Sequence, residues 1–194
     1  MVRVGLVGED PNDTSSIKNL LEKRYRGKVH FQPLVKGIKG HQLDSPKIKK
    51  SLPIEFEDQK CNFIIYIRDL DAFKSQTDKL NAKIEWFREL DSAVNNKGLL
   101  LLNIWELEAL IFADMATFNK IYKIKNSFIG DPMLVKDPKE VLKKLTNNCR
   151  KRYKESHCPE LFTQLNLDKI ESNCVCFKEF LLKFNNKLKK GKSK

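Results

Sequence analysis

Acidic residues stand directly after two separate apolar segments of the sequence. Glu9 and Asp13 follow the first segment, and Asp69 and Asp71 follow the second. Carboxylate oxygens are the ligands that Mg²⁺ prefers in proteins, and crowded carboxylates repel one another unless a cation joins them. If the two segments lie side by side, these residues predict a site for Mg²⁺ or Mn²⁺. Two such ions can hold a phosphodiester, activate a water molecule and neutralise the leaving oxygen.

The two apolar segments must therefore be neighbours in the fold. Residues 2–7 and 63–67 have the length and the branched side chains of β-strands that are buried on both faces, as in a parallel sheet. Ligands of such sheets bind beyond the carboxyl ends of the strands. Because the acidic residues follow those ends, we expect them to gather at one edge of the sheet.

Helical patterns separate the predicted strands. Apolar residues recur at helical spacing after Asp13 or Thr14, which are candidate helix caps, and again over residues 77–95. A looser alternation over residues 28–35 predicts an edge strand, and residues 99–102 predict another buried strand. This order predicts an α/β fold with a mostly parallel sheet, right-handed crossovers and helices on both faces.

A further helix is expected to begin near Trp105, directly after the last predicted strand, and to carry Glu106 and Glu108 at the same edge of the sheet. Glutamate near a helix N-terminus stabilises the helix dipole, which is sufficient to explain either residue alone. Glu108 has apolar neighbours on both sides, so its surroundings should be dry. Two positions stay open for its side chain, the helix surface and the acidic site.

The chain is strongly basic, with a formal net charge of +12. Residues 136–194 contain 16 Lys and Arg against 7 Asp and Glu, which accounts for +9 of that total. This balance favours a polyanionic partner such as nucleic acid, although lysine-rich sequences also occur for solubility alone. The candidate contacts to nucleic acid are Lys139, Arg150, Arg152 and Lys154.

The cysteines and the apolar segments indicate a soluble cytoplasmic protein. The five cysteines are an odd number with no Cys-x-x-Cys pair, which is typical of reduced thiols rather than of a disulfide framework. The sequence starts with a strand pattern instead of a signal peptide. The longest apolar stretch, residues 99–113, contains two glutamates and is too short to cross a bilayer.

Three parts of the chain can be distinguished. The strand patterns predict an α/β domain over residues 1–114. Residues 115–188 predict a helical, basic extension packed on it, with Pro138 in the first turn of one helix. Residues 189–194 are expected to form a disordered basic tail.

The acidic residues resemble those of the Toprim fold, the metal-binding domain shared by topoisomerases, bacterial primases and a group of nucleases. That family has one glutamate after its first strand and an Asp-x-Asp pair after its third, and Glu9, Asp69 and Asp71 occupy those places. The chain is more closely similar to small Toprim-like proteins of bacterial defence islands, which are relatives of the overcoming-lysogenization-defect nucleases.

That subgroup has three short motifs with counterparts here. Its Glu-Gly-x-Thr-Glu turn corresponds to residues 9–13, where Asp10 replaces the glycine and Asp13 the second glutamate. Its Glu-Ala-Trp-Leu-x-Ala-Asp segment corresponds to residues 108–114, where Leu110 replaces the tryptophan, and its later Pro-Lys to Pro138 and Lys139. The resemblance implies a Mg²⁺-dependent nuclease that serves as an effector of anti-phage defence together with an ATPase partner.

Metal-dependent hydrolysis of a phosphodiester would give each of these residues a role. Glu9 and Asp69 are the expected principal metal ligands, with Asp71, Asp13 and Glu108 serving a second ion or hydrogen-bonding the ligands. Lys139, or alternatively Lys154, would supply positive charge to the transition state.

Two other functional classes stay open. The first strand and its acidic residues also resemble a response-regulator receiver, in which Asp69 would accept a phosphoryl group. A receiver would also have Thr or Ser at the end of its fourth strand and Lys-Pro after a fifth, and the sequence has neither pattern. The other class is a catalytically inactive module that binds nucleic acid or a partner protein. Topoisomerase or primase activity has no support, because neither a tyrosine in a nucleophilic context nor a zinc ribbon is present.

Overall fold

Four strands form one parallel sheet in the computed structural model, which describes residues 1–35 and 40–191. Their bounds are Val2–Val7 for β1, Val29–Pro33 for β2, Phe63–Asp69 for β3 and Gly98–Asn103 for β4. Across the sheet they lie in the order β2-β1-β3-β4, and each neighbouring pair is parallel. The predicted α/β fold with a parallel sheet is confirmed.

Nine α-helices accompany the sheet in the described residues. They are Pro11–Tyr25 (α1), Pro46–Asp58 (α2), Thr77–Ser92 (α3), Ala109–Phe112 (α4), Met115–Tyr122 (α5), Pro138–Leu145 (α6), Cys158–Gln164 (α7), Leu167–Asn173 (α8) and Val175–Gly191 (α9). Short 3₁₀ turns occur at Gly40–Asp44, Pro132–Leu134 and Glu155–His157. In the described part of the chain, no helix is both long and apolar enough to cross a membrane.

Helices cover both faces of the sheet because its strands are apolar on both. Side chains of β1 and β3 alternate between two cores, so that Leu6 and Ile65 belong to one and Val7 and Tyr66 to the other. The first core contains α1 and most of the helices after β4, including α9. The second is formed with α2 and α3.

The helices that follow the sheet share its core. Phe184 of α9 is fully buried, and its ring centroid lies 4.9 Å from that of Tyr25, 6.1 Å from that of Phe31 and 5.7 Å from that of Phe63. Aromatic pairs at these separations add to the stabilisation from apolar burial. The C-terminal helices therefore pack directly on β2, β3 and α1.

The expected helix around Trp105 begins later than the sequence suggests. The Ile104 carbonyl accepts a hydrogen bond from the Ala72 amide (3.4 Å), and the Trp105 carbonyl accepts one from the Asp71 amide (3.2 Å). The chain after β4 thus continues to bond to the chain after β3. Helix α4 starts only at Ala109, with Glu108 at its N-cap.

Three other boundaries also differ. Helix α1 begins at Pro11 because Asp10, rather than Asp13 or Thr14, is the cap. Helix α3 ends at Ser92 instead of continuing to residue 95. Helix α9 continues to Gly191, so the expected disordered tail is helical over its first three residues, and residues 192–194 lie outside the described residues.

Candidate functional site

A cavity of about 280 Å³ lies at the carboxyl edge of the sheet. Its lining residues come from the ends of β1, β3 and β4 and from the C-terminal part of the chain: Glu9, Asp10, Asn12, Asp13, Asp69, Asp71, Glu106, Glu108, Lys139, Glu155 and Cys158. This set, which we call the acidic cavity, contains eight carboxylates and one lysine. All five predicted metal ligands and Lys139 belong to it.

The turn between β1 and α1 holds its acidic residues by helix capping. The Asp10 side chain accepts a hydrogen bond from the Asn12 amide (2.8 Å), and the Asp13 carboxylate accepts one from the Asp10 amide (3.1 Å). This reciprocal pair is a capping box that satisfies two otherwise free amides. Gly8 allows the turn to be tight, because a Cβ there would lie 3.0 Å from Thr14 Cγ2.

Asp69 and Asp71 reach the cavity from different backbone conformations. Asp69 is the last residue of β3, whereas Asp71 has a φ of 55°, in the left-handed region. The two-residue spacing of an extended chain therefore does not explain why both line the cavity. The turn at Asp71 is held instead by the bond from its amide to the Trp105 carbonyl.

Glu9 is engaged by cations on the sheet side of the cavity. Its Oε1 lies 2.7 Å from Arg68 Nε and 3.6 Å from Lys83 Nζ, and it also accepts a 3.4 Å hydrogen bond from the Asp69 amide. Lys83 lies 3.8 Å from Asp71 as well. The side chain of buried Arg68 therefore reaches the site at the sheet edge, an arrangement that the sequence alone does not predict.

Asn103 and Glu106 come from the chain at and after β4. The Asn103 side-chain amide donates a 2.9 Å hydrogen bond to Asp69 Oδ1. Glu106 Oε2 accepts a 3.0 Å bond from the Lys139 amide, and its Oε1 lies 3.3 Å from Lys139 Nζ. Glu106 therefore fixes the start of α6 against the cavity. Asn103 could have been found from the sequence, since it is a polar residue at the end of a buried strand.

Glu108 points into the acidic cavity and is almost fully buried, at 6% exposure. Its Oε1 accepts a 3.1 Å hydrogen bond from the Tyr153 hydroxyl, which also lies 3.0 Å from Cys158 Sγ. Tyr153 is buried between the helices and is not part of a helix itself. No signal in the sequence connects these residues, because they meet only through packing.

The crowded carboxylates perturb one another. Burial, reinforced by the charges of Glu108, Asp10 and Glu9, raises the pKa of Asp13 to about 7. Burial and the neighbouring Asp13 raise the pKa of Asp69 well above its usual range, against the hydrogen bond from Asn103. Burial also raises the pKa of Glu108.

Lys139 is the counter-charge inside the acidic cavity. Burial alone would lower its pKa, but the carboxylates of Glu108, Glu106 and Glu155 raise it above the ordinary value for lysine. Its ammonium group is therefore charged at neutral pH. One ammonium against eight carboxylates leaves the cavity strongly negative when the acids are ionised.

The residues fit a hard divalent cation by their chemistry. Carboxylate and amide oxygens are suitable ligands, and a cation would offset both the burial and the repulsion that raise the pKa of Asp13 and Asp69. Among residues 1–35 and 40–191, however, no three side chains are arranged to hold an ion as they stand. Glu9 is paired with Arg68, and Asp69 is bonded to Asn103. Binding would require these side chains to turn inward.

The other predicted nucleic-acid contacts are not in the cavity. Arg150, Arg152 and Lys154 are exposed on the segment between α6 and α7. This segment leads directly to Glu155 at the cavity wall.

Comparison with known proteins identifies a family without an assigned activity. No curated protein and no solved structure matches the chain. A family model described as a domain of unknown function, DUF4276, matches residues 9–185. The matched range starts at Glu9 and includes every residue that lines the acidic cavity. The chain therefore belongs to the DUF4276 family.

Proposed function

We propose that this protein is a metal-dependent nuclease that hydrolyses phosphodiester bonds in DNA or RNA. The observation that carries the proposal is the acidic cavity, where eight carboxylates from separate chain segments converge beside one buried lysine. Ionising so many groups in a partly buried place costs folding free energy, and such groups are typical of functional sites. Binding of Mg²⁺ or Mn²⁺ would offset that cost.

Glu9 and Asp69 would be the principal metal ligands, with Asp71, Asp13 and Glu108 completing the set or hydrogen-bonding it. A bound divalent ion supplies Lewis-acid stabilisation of the phosphate and a more acidic water molecule. Asn103 orients the Asp69 carboxylate through its 2.9 Å hydrogen bond. Tyr153 orients Glu108 in the same way from the buried side of the cavity.

Lys139 would place a positive charge beside the phosphate. Glu106 anchors both its backbone amide and its ammonium group, and the raised pKa keeps that group protonated at neutral pH. A fixed charge of this kind stabilises the negative charge that develops during phosphoryl transfer.

Basic side chains outside the cavity would bind the nucleic-acid partner. Arg150, Arg152 and Lys154 are exposed and available to contact the nucleic-acid backbone. The resemblance to the Toprim-like proteins of defence islands supports a role as an effector in anti-phage defence, activated by an ATPase partner in the cytoplasm.

The test is a cleavage assay with a panel of labelled DNA and RNA substrates in Mg²⁺, in Mn²⁺ and in chelator. We expect cleavage of at least one substrate class with metal and none in chelator, and no cleavage by Asp69→Asn prepared in parallel. Equal cleavage by the variant would show a contaminating enzyme. Absence of metal-dependent cleavage with every substrate, in Mg²⁺ and in Mn²⁺, would contradict the proposal.

A second candidate is an inactive binding module, and the pairing of Glu9 favours it. Arg68 and Lys83 already neutralise this carboxylate, so the cavity can be a structural network of ion pairs. In that case Mg²⁺ or Mn²⁺ would shift the unfolding temperature of the wild type no more than it shifts that of Asp69→Asn.

The receiver hypothesis makes a separate prediction. Strand β4 ends at Asn103 rather than at Thr or Ser, and the described residues contain no fifth strand. We therefore expect no stable phosphorylation at Asp69 when the protein is incubated with acetyl phosphate and Mg²⁺. A mass increase of one phosphoryl group that Asp69→Asn lacks would support a receiver instead.

A further inference from the structure

Two aromatic rings lie beside the acidic cavity. The rings of Phe73 and Trp105 pack edge to face with their centroids 5.1 Å apart. Phe73 is two residues after Asp71, and Trp105 directly precedes Glu106, so both aromatic residues are close in the chain to residues that line the cavity. We call Phe73 and Trp105 the aromatic platform.

The aromatic platform presents a ring to solvent. Phe73 is 36% exposed, and in the described residues it is the only aromatic side chain among the exposed large apolar residues. Its backbone is well held, because the Ala72 amide donates to the Ile104 carbonyl and the Gln76 amide donates to the Phe73 carbonyl (2.9 Å). The exposed part of this ring is held in a fixed position and can form a stacking contact with a ligand.

One lysine lies near the Trp105 ring, and another contacts the turn that precedes Phe73. Lys136 Nζ lies 6.0 Å from the centroid of the Trp105 ring. Lys79 Nζ lies 3.5 Å from the Asp71 carbonyl oxygen. Within residues 1–35 and 40–191 neither lysine forms an ion pair with a carboxylate, so both charges are available to a ligand.

We propose that the aromatic platform stacks an unpaired base and that the substrate class is therefore single-stranded nucleic acid. This inference rests on the proposed nuclease function and specifies it. Without a bound metal ion the acidic cavity repels phosphates, so affinity for the rest of the strand must come from groups outside it. Stacking on an aromatic ring supplies affinity without regard to sequence, and neighbouring lysines pair with the flanking phosphates.

The single strand is favoured over the duplex by geometry. A base in a duplex is covered on both faces by its neighbours, whereas a base in a single strand can turn out and stack on a side chain. The platform has one exposed aromatic ring, which suits one base close to the cleaved bond.

Binding can be measured without cleavage, in chelator and at fixed salt, with short oligothymidylate, oligouridylate and a hairpin duplex. Trp86 and Trp105 are the two tryptophans of the chain, so the variant Trp86→Phe makes Trp105 the single fluorescent reporter. We expect the single strands to quench its fluorescence. In the same background Phe73→Ala should weaken single-strand binding by about 5- to 100-fold.

Two matched variants separate stacking from apolar contact. Phe73→Leu keeps an apolar side chain and should bind as weakly as Phe73→Ala, while Phe73→Tyr keeps the ring and should bind like the parent. Ile54→Ala removes another exposed apolar side chain, 63% exposed on α2, and should have no effect. Equal affinity for single strand and duplex, or unchanged binding by Phe73→Leu, would overturn the inference.

Cleavage assays distinguish this inference from the proposed function. Metal-dependent cleavage that is the same in Phe73→Leu, for single strands and duplexes alike, would reject the platform and retain the nuclease. Ring-dependent binding of single strands with no cleavage in Mg²⁺ or Mn²⁺ would retain the platform and reject the nuclease.

Discussion

Replacing Asp69 with asparagine is expected to reduce metal-dependent cleavage by more than about 100-fold. Loss of a group that only orients a metal ligand typically costs about 10- to 100-fold in affinity or activity, and loss of a ligand itself costs more. Asp69 lies at the end of β3 and shares the acidic cavity with Glu9, Asp13 and Glu108. The rate constant for cleavage at saturating Mn²⁺ is the measurement.

The fold of this variant should be retained, so the loss is interpretable. Asparagine keeps an oxygen that can accept the hydrogen bond from Asn103, and it removes a carboxylate whose pKa is raised by burial and repulsion. Asp58→Asn, at an exposed position at the end of α2, is the matched control and should cleave like the wild type. If Asp69→Asn retains most of the rate, Asp69 is not a metal ligand.

Replacing Asp13 with asparagine is expected to stabilise the metal-free protein at pH 8. The pKa of this carboxyl is about 7 in the folded protein against an ordinary value of 3.8, so the folded state holds its proton more tightly than the unfolded state does. Ionisation therefore costs folding free energy, and stability falls as the pH rises from about 4 to 7. A tenfold change in acidity corresponds to about 1.4 kcal/mol, which predicts a gain on the order of 2–4 kcal/mol for the variant.

Denaturant unfolding of wild type and Asp13→Asn in chelator, between pH 4 and pH 9, tests this directly. The difference should be small near pH 4, grow through the window up to pH 7 and stay constant above it. Asparagine can still accept the hydrogen bond from the Asp10 amide, so the helix cap is preserved. Added Mg²⁺ should stabilise the wild type more than the variant. A difference that does not depend on pH would mean that Asp13 is not strained by its neighbours.

Replacing an acid of the cavity is expected to lower activity and to raise the stability of the metal-free protein, and both effects have the same origin. The acidic cavity lowers the stability of the metal-free protein, because burial and mutual repulsion oppose ionisation of Asp13, Asp69 and Glu108. Such a cost at one place is typical of a functional site. Variants at these positions that are more stable and less active would indicate a site shaped by its ligand.

Much of the site followed from the order of strands alone. In a parallel sheet every carboxyl end reaches the same edge, so any acids that follow two neighbouring strands must approach each other. Glu9, Asp13, Asp69 and Asp71 were predicted in this way, and all four line the acidic cavity. Glu108 was predicted as one of two options, and the packing against Tyr153 selects the buried one.

Other parts of the site could not be obtained from local pattern. Arg68 and Lys83 look like ordinary surface cations in the sequence, yet they neutralise Glu9 across the sheet edge. The position of Asp71 depends on a turn with a left-handed backbone at that residue, which the pattern of apolar residues does not specify. Arg150 and Arg152 were predicted from charge alone, and they lie outside the cavity.

The sequence by itself determined the parallel α/β sheet and the acids at its edge, because the length, branching and period of apolar residues encode strands, helices and their buried faces. Only the tertiary structure decided which distant residues complete the site. The choice of Lys139 over Lys154, the hydrogen bond from Tyr153 to Glu108, the place of Cys158 in the cavity wall and the contact between Phe73 and Trp105 all arise because segments far apart in the chain pack together. Those contacts depend on packing distances and angles, which a local pattern of residues does not contain.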